Sequence, residues 1–348
     1  MALHIVVMAG GKGERLWPVS RTGRPKQLIS FDGEKSLIRA TVDRLLPLAD
    51  PARVCIVTGS DITPKVAAEL PDIPPSNILA EPFGRNTAPC IAYAAAWIAA
   101  RDPQGVMAIF PSDHAIADTN AFQKTVAFGV QCLKDFPEHL ITIGIEPDHP
   151  ETGYGYIAPC EVIHSGGTLV LRRVAAFHEK PDQARAQTYI AEGCLWNAGM
   201  FMWRVDTILR DIKRHVPDLH DNLMRLSASA WQGSDILSFY ENARAVSIDY
   251  AVMEKAAKVA VIPADFGWND IGSWDAVGKL KQTDQQGNTV QGTAYFHECR
   301  DNVVWAQAKP IVCIGIDNLV VVEGEEAILV CPRERSQEVG MMLKKLKS

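Results

Sequence analysis

The first half of this chain alternates short, nearly unbroken apolar runs with stretches of helical period, and that alternation leaves few folds open to it. HIVVMA, RVCIVTG, GVMAIFP and LITIGIE offer water no polar face. That is the pattern of strands in a parallel sheet covered on both sides. Between them, Ser36 to Leu46 puts Leu37, Ile38, Val42, Leu45 and Leu46 on one stripe, with Ser36 as N-cap. Asn86 to Arg101 and Asp118 to Lys134 read as further helices. The alternation predicts an α/β fold with a doubly wound sheet and ligands at the carboxyl ends of its strands. From about Asn288 the pattern changes to short strands, in TAYFHECRDNVVWA, PIVCIGIDNLVVVE and EAILVC, broken by Asp-Asn and Glu-Gly-Glu turns and followed by a basic helix. The expected organisation is a main domain over residues 1–285 and a small β-rich region over 286–348, with no internal repeat of 20–50 residues.

A net charge of −6 and a pI near 5.9 argue against nucleic acid or an anionic membrane as partner, since both favour basic surfaces. No stretch is long enough to span a bilayer, and MALHIVVMAGG lacks the basic start of a signal peptide, so it reads as a first strand. The eight cysteines show neither CxxC pairs nor Cys/His metal spacing, which points to a reducing cytoplasm and to no disulfide framework or zinc site.

An anionic substrate must therefore meet a local cationic island, and one follows the first strand. Ala9-Gly10-Gly11-Lys12-Gly13-Glu14-Arg15-Leu16-Trp17-Pro18 continues to Pro25-Lys26-Gln27. Gly10, Gly11 and Gly13 let the backbone turn tightly and bring N–H groups to phosphate oxygens. Lys12, Arg15, Arg21, Arg24 and Lys26 surround a single acid, Glu14. The segment is not a Walker A loop. Nor does it complete a dinucleotide fingerprint, because Leu16 stands where the third glycine belongs, which disfavours a nicotinamide oxidoreductase.

The full string resembles the signature of the sugar nucleotidyltransferases and, within them, that of the mannose-1-phosphate guanylyltransferases, GGxGxRLWPxSRxxxPKQ, matched from Gly10 to Gln27. EPFGRNTAPCIAYAA, PSDHAI, TGYGYI, FHEKP, WNAGMF, SIDYAVMEK and WNDIGSWD are also similar to family segments, in the family's order. The resemblance implies a Rossmann-like, mixed but mostly parallel sheet. It implies transfer of GMP from GTP to mannose 1-phosphate, giving GDP-mannose and pyrophosphate, with Mg²⁺ as cofactor. Arg15 and Lys26 would be catalytic. Ala9, Gly10, Gly11, Gly13, Arg85, Asn86, Thr87 and Ser112 would hold the nucleotide, and Asp113 and Asp270 the metal. Gly153, Tyr154, Gly155, Glu179, Lys180, Asn197 and Gly199 would hold the sugar phosphate.

Several of these residues have plain structural readings as well. Asp113 suits an Asx turn, Asp270 a helix cap, and Asn86-Thr87-Ala88-Pro89 an N-cap with an early proline. Functional alternatives are a nucleotidyltransferase for another base or sugar phosphate and a non-catalytic nucleotide-sugar sensor. The terminal strands read either as a homodimer interface or as a surface packed on the main domain. Longer relatives carry a C-terminal isomerase domain, and this chain ends about sixty residues after Asn288, which implies no isomerase activity.

Overall fold

The computed structural model describes residues 1–11, 13–31, 33–228, 231 and 233–347. The chain forms two compact units. The first comprises Met1–Gly10, Val42–Ser112 and Ile116–Trp268; the second comprises Gly11–Thr41, Asp113–Ala115 and Asn269–Ser348. The change of strand pattern near Asn288 suggests a cut at 285. The compact units instead group the glycine loop with the C-terminal strands.

The first unit carries the large sheet. Its strands are β1 (Leu3–Ala9), β2 (Val54–Gly59), β3 (Ile78–Glu81) and β4 (Val106–Pro111). After the two-residue β5 (Ala115–Ile116) come β6 (Leu140–Ile145), β7 (Gly155–Gly166), β8 (Leu169–Glu179), β9 (Leu195–Arg204) and β10 (Val259–Ala264). The order is β3-β2-β1-β4-β9-β6-β10-β8-β7. β1 is parallel to β2 and β4, β2 to β3, and β10 to β6. β9 runs antiparallel between β4 and β6. The sheet is therefore mixed, as the resemblance implies.

The helices are α1 (Leu37–Leu45), α2 (Thr63–Glu69), α3 (Thr87–Ala99), α4 (Thr119–Asp135), α5 (Gln183–Ala191), α6 (Val205–His215), α7 (Pro217–Ala228) and α8 (Gly233–Asn242). α3 is Ala-rich and buried from Ala88 to Ile98, which is why it is apolar all round. It shares one core with Val6, Val57 and Ile109 of the sheet and with Ile208, Leu219 and Leu223 of α6 and α7. α4 approaches β9 closely enough that a Cβ on Gly129 would stand 2.5 Å from Met202 Cε, and Phe122 stacks edge-on against Phe110 and Phe266. Among the described residues no helix is long and apolar enough to cross a membrane.

The second unit contains β11 (Trp268–Asn269) from its second residue on, α9 (Trp274–Lys279), and β12 (Thr289–Gln291) through β13 (Ala294–His297), β14 (Val303–Trp305), β15 (Ile311–Ile314), β16 (Leu319–Glu323) and β17 (Ile328–Pro332) to α10 (Val339–Lys347). β12, β14 and β16 stack in parallel, with Thr289, Val303 and Val320 in register, and β13 pairs parallel with β15. Such stacking is a coil. Its Asp-Asn corners are closed by a buried amide ladder, in which Asn302 Nδ2 donates to Asn288 Oδ1 at 2.9 Å and Leu319 N donates to Asn302 Oδ1 at 3.0 Å. Leu16, Ile29 and Phe31 of the N-terminal segment share a core with Trp274, Trp305, Val320 and Val322.

Candidate active site

Within the second unit the glycine loop is folded around Lys26. Gly13 has φ +64°, and a Cβ there would lie 2.5 Å from Lys26 Cβ and 2.9 Å from Ser20 Oγ, so only glycine fits this turn. A one-turn helix follows at Glu14–Leu16. It buries Leu16, while Arg15 is exposed. Trp17 offers its carbonyl to Trp274 Nε1 at 3.0 Å, which ties the loop to α9. Lys12 lies outside the described residues.

Lys26 is the hub. It is 7% exposed, and its Nζ donates to Asp113 Oδ2 at 2.8 Å and to the main-chain oxygen of Asp270. Burial pushes the Asp113 carboxyl up, but the Lys26 ammonium and His114, 4.0 Å from Oδ1, outweigh it and hold Asp113 below the usual carboxylate range. Gly11 follows the same geometry, since a Cβ there would stand 4.0 Å from Asp113 Oδ2. Asp270 Oδ1 accepts from Gly272 N at 2.9 Å. Neither aspartate caps a helix. Ser273 caps α9, and Asp118 caps α4. Three sequence-distant motifs thus converge on one cation, which meets the Asp113 carboxylate and the Asp270 main-chain oxygen.

The remaining predicted residues lie in the first unit. Ala9 ends β1 and Gly10 follows it; a Cβ on Gly10 would stand 3.2 Å from Glu81 Oε2 at the end of β3. Ser112 is buried and donates its N–H to Met8 O at 3.0 Å. Arg85 donates from Nε to Tyr240 O at 3.0 Å, with its guanidinium over the Phe83 ring. Asn86 holds φ 68° and ψ −174°, a conformation that costs of the order of 1–3 kcal/mol in a residue other than glycine. Its Oδ1 accepts from Thr87 N at 2.8 Å, so the N-cap reading is correct here. The Thr87 hydroxyl accepts from Ile248 N at 2.8 Å.

Along β7 and β8, Gly155 pairs with Glu179, and a Cβ on Gly155 would fall 2.6 Å from Glu179 Oε2. The glycine makes room for that carboxylate. Lys180 donates from Nζ to Glu179 Oε1 at 2.8 Å and from its main chain to Tyr154 O at 3.2 Å. Gly153 N donates to Glu151 Oε1 at 2.8 Å. The Tyr154 ring meets Trp196 and Trp268 edge-on, each at 5.2 Å. Asn197 and Gly199, on β9, are joined by a bond from Gly199 N to Asn197 Oδ1 at 3.2 Å.

Two carboxylates here are absent from the predicted site residues: Glu81, which opens the segment Glu81 to Pro89 read from the sequence as the base region, and Asp249, which has no assigned role. Glu81 is 4% exposed, and burial pushes its carboxyl up to about 7, against the pull of the Tyr240 hydroxyl. Glu81 Oε1 and the Tyr240 oxygen are both buried, and neither closes a well-formed hydrogen bond. Asp249 accepts from Asn197 Nδ2 at 2.9 Å. Burial and the Glu179 carboxylate push it up to about 6. Both stand in matched segments, EPFGRNTAP and SIDYAVMEK. A carboxylate inside an otherwise apolar run was the available signal.

Residues 4–287 match the Nucleotidyl transferase family. The chain belongs to that family. In this nucleotidyl transferase, residues 297–346 match a second family, the MannoseP isomerase/GMP-like beta-helix domain. The Xanthan biosynthesis protein XanB of Xanthomonas campestris pv. campestris is 38% identical over 99% of this chain and 73% of its own length. The Mannose-1-phosphate guanylyltransferase of Klebsiella pneumoniae is 37% identical over 98% of this chain and 73% of its own. A crystal structure described as mannose-1-phosphate geranyltransferase from Thermus thermophilus superposes with a TM-score of 0.90 at 33% identity, covering all of both chains. The mixed sheet and β-rich C-terminal region are thus features of this nucleotidyl transferase's fold.

Proposed function

We propose that this nucleotidyl transferase moves GMP from GTP to mannose 1-phosphate, forming GDP-mannose and pyrophosphate. The observation that carries the reading is the Lys26–Asp113–Asp270 cluster, assembled from three motifs in a chain that is 37% identical, over 98% of its length, to a Mannose-1-phosphate guanylyltransferase. A phosphate oxygen of mannose 1-phosphate bonds to the α-phosphorus of GTP, and the bond from that phosphorus to the α–β bridging oxygen breaks. The nucleophile is already an anion, so no base is required. The protein's work is to hold two repelling anions in line and to offset charge on the departing pyrophosphate. Lys26 faces the transferring phosphate in this reading, and Arg15 with the Gly11 and Gly13 N–H groups grips the triphosphate.

The donor set suits Mg²⁺: two carboxylates, one of them held ionised, leave the rest of an octahedron to water and phosphate oxygens. Asp113 and Asp270 would hold the ion, which when bound neutralises phosphate charge. Glu81, whose Oε2 lies beside Gly10 and whose buried Oε1 has no hydrogen-bond partner, suits the N1–H and N2–H₂ groups of guanine. The cysteine spacing, with neither CxxC pairs nor Cys/His metal spacing, suits a reducing, cytoplasmic setting. Exposed Tyr295, Val312 and Ile314 on β13 and β15 support a homodimer through the C-terminal region. The deciding experiment is pyrophosphate release across four nucleoside triphosphates and several sugar 1-phosphates. Turnover should be fastest by about tenfold or more with GTP and mannose 1-phosphate, and a clear preference for another pair would replace the reading.

A further inference from the structure

Asn197 is held by a bonding pattern that fixes which end of its amide is the donor. Oδ1 accepts from Gly199 N at 3.2 Å, and the Thr142 hydroxyl lies 3.1 Å from both Asn197 Oδ1 and Met200 O, with one proton to share. Nδ2 donates to Asp249 Oδ1 at 2.9 Å. Turning the amide over would set Oδ1 against a carboxylate and Nδ2 against an N–H, so both contacts would become repulsive. One Nδ2 proton is committed to Asp249. The other has no acceptor among the described residues.

The backbone that carries Asp249 is anchored as well. Ala88 N donates to Val246 O at 3.1 Å and Ile248 N to the Thr87 hydroxyl at 2.8 Å, so the start of α3 holds the segment just before Asp249. Glu254 N then closes a wide turn onto Asp249 O at 3.0 Å. Wide turns of this kind occur mostly as single insertions, often at functional sites. Thr87 is therefore joined through Ile248 to the residue that holds Asn197.

We infer that Asp249 is a positioning residue for sugar recognition: it locks the Asn197 amide so that its remaining Nδ2 proton is presented to a sugar hydroxyl oxygen. This rests on the proposed use of mannose 1-phosphate. It adds a residue that acts through Asn197, and it explains why a carboxylate sits beside Glu179 at some electrostatic cost.

The test compares Asp249→Ala, Asp249→Asn and the exchanged pair Asp249→Asn/Asn197→Asp by initial rates and thermal melting. Asp249→Ala should raise KM for mannose 1-phosphate about tenfold, the scale of one misaligned hydrogen bond. It should leave KM for GTP and kcat within about twofold, as expected for a contact made equally in ground and transition states. Asp249→Asn can still accept through its own Oδ1 and should recover most of the loss. The exchanged pair keeps one hydrogen bond between the two positions, so it should melt like wild type, yet its KM for the sugar phosphate should stay high because no amide proton remains at 197. Recovery of that KM in the exchanged pair would overturn the inference, as would equal damage to both substrates in Asp249→Ala. Should Asp249→Ala not fold, the exchanged pair decides alone. A wild-type enzyme without GTP and mannose 1-phosphate turnover sinks the functional reading itself, which is a separate outcome.

Discussion

At the scale of single residues, charge is placed where it is costly, and the costs can be measured. Lys26 and Asp113 form a nearly buried ion pair that also reaches the Asp270 carbonyl. Removing one partner leaves the other charge without its counter-ion. Asp113→Ala should lower kcat by roughly 10²–10³-fold, the usual loss for one group that stabilises transition-state charge, with the fold retained. Near-normal turnover at saturating Mg²⁺ would refute that role. Glu81 gives a pH signature. Its folded value is raised to about 7 from 4.5, so between those values the unfolded chain has released a proton that the folded chain keeps. Stability therefore falls as pH rises through this window and levels off above it, by about 3 kcal/mol in all. Glu81→Gln should lose this part of the slope when melting is followed from pH 5 to pH 8. An unchanged slope would show that Glu81 does not titrate as a buried acid.

Among the elements, α10 is the unexpected one. Its buried face is Val339 and Leu343, and a Cβ on Gly340 would stand 3.4 Å from Arg15 Cγ. The final helix therefore lies against the one-turn helix that carries the loop's arginine. Glycine inside a helix costs about 1 kcal/mol relative to alanine. A single methyl at this position would make ordinary van der Waals contact with Arg15. Gly340→Ala should be stable and active. Gly340→Val, whose branch is stiff, should displace Arg15 and lower kcat/KM for GTP about tenfold without a comparable drop in melting temperature. Wild-type kcat/KM in the valine variant would show that α10 does not place Arg15.

For the whole molecule, the compact units do not follow the change of strand pattern near Asn288. Leu16, Ile29 and Phe31 are buried with Trp305, Val320 and Val322, although the two groups lie at opposite ends of the chain. Each large side chain of this kind is worth on the order of 2 kcal/mol when buried, and a domain has only about 5–15 kcal/mol to lose. A chain ending at residue 285 should therefore lose its cooperative melting for this unit, and its turnover should fall to background. Full activity and one sharp transition in that truncation would show the C-terminal strands to be dispensable. The coil itself is hidden from a search for repeats because its rungs at Thr289, Val303 and Val320 are unevenly spaced and shorter than 20 residues.

Read alone, the sequence determined the α/β class, the glycine loop and the family, because these rest on local chemistry. Apolar runs specify strands, Gly13 permits a left-handed turn, and motif order survives without knowledge of contacts. It did not mark β3 as a strand, since four residues carry too short a pattern. Only the tertiary structure decided who pairs with whom. Lys26 meets Asp270 across 244 positions and Asn197 meets Asp249 across 52, distances over which no sequence period operates. The direction of β9, the exchange of the loop into the C-terminal unit and the burial of Glu81 belong to the same class. Each depends on where strands lie in space, and that is set by the summed packing of the chain.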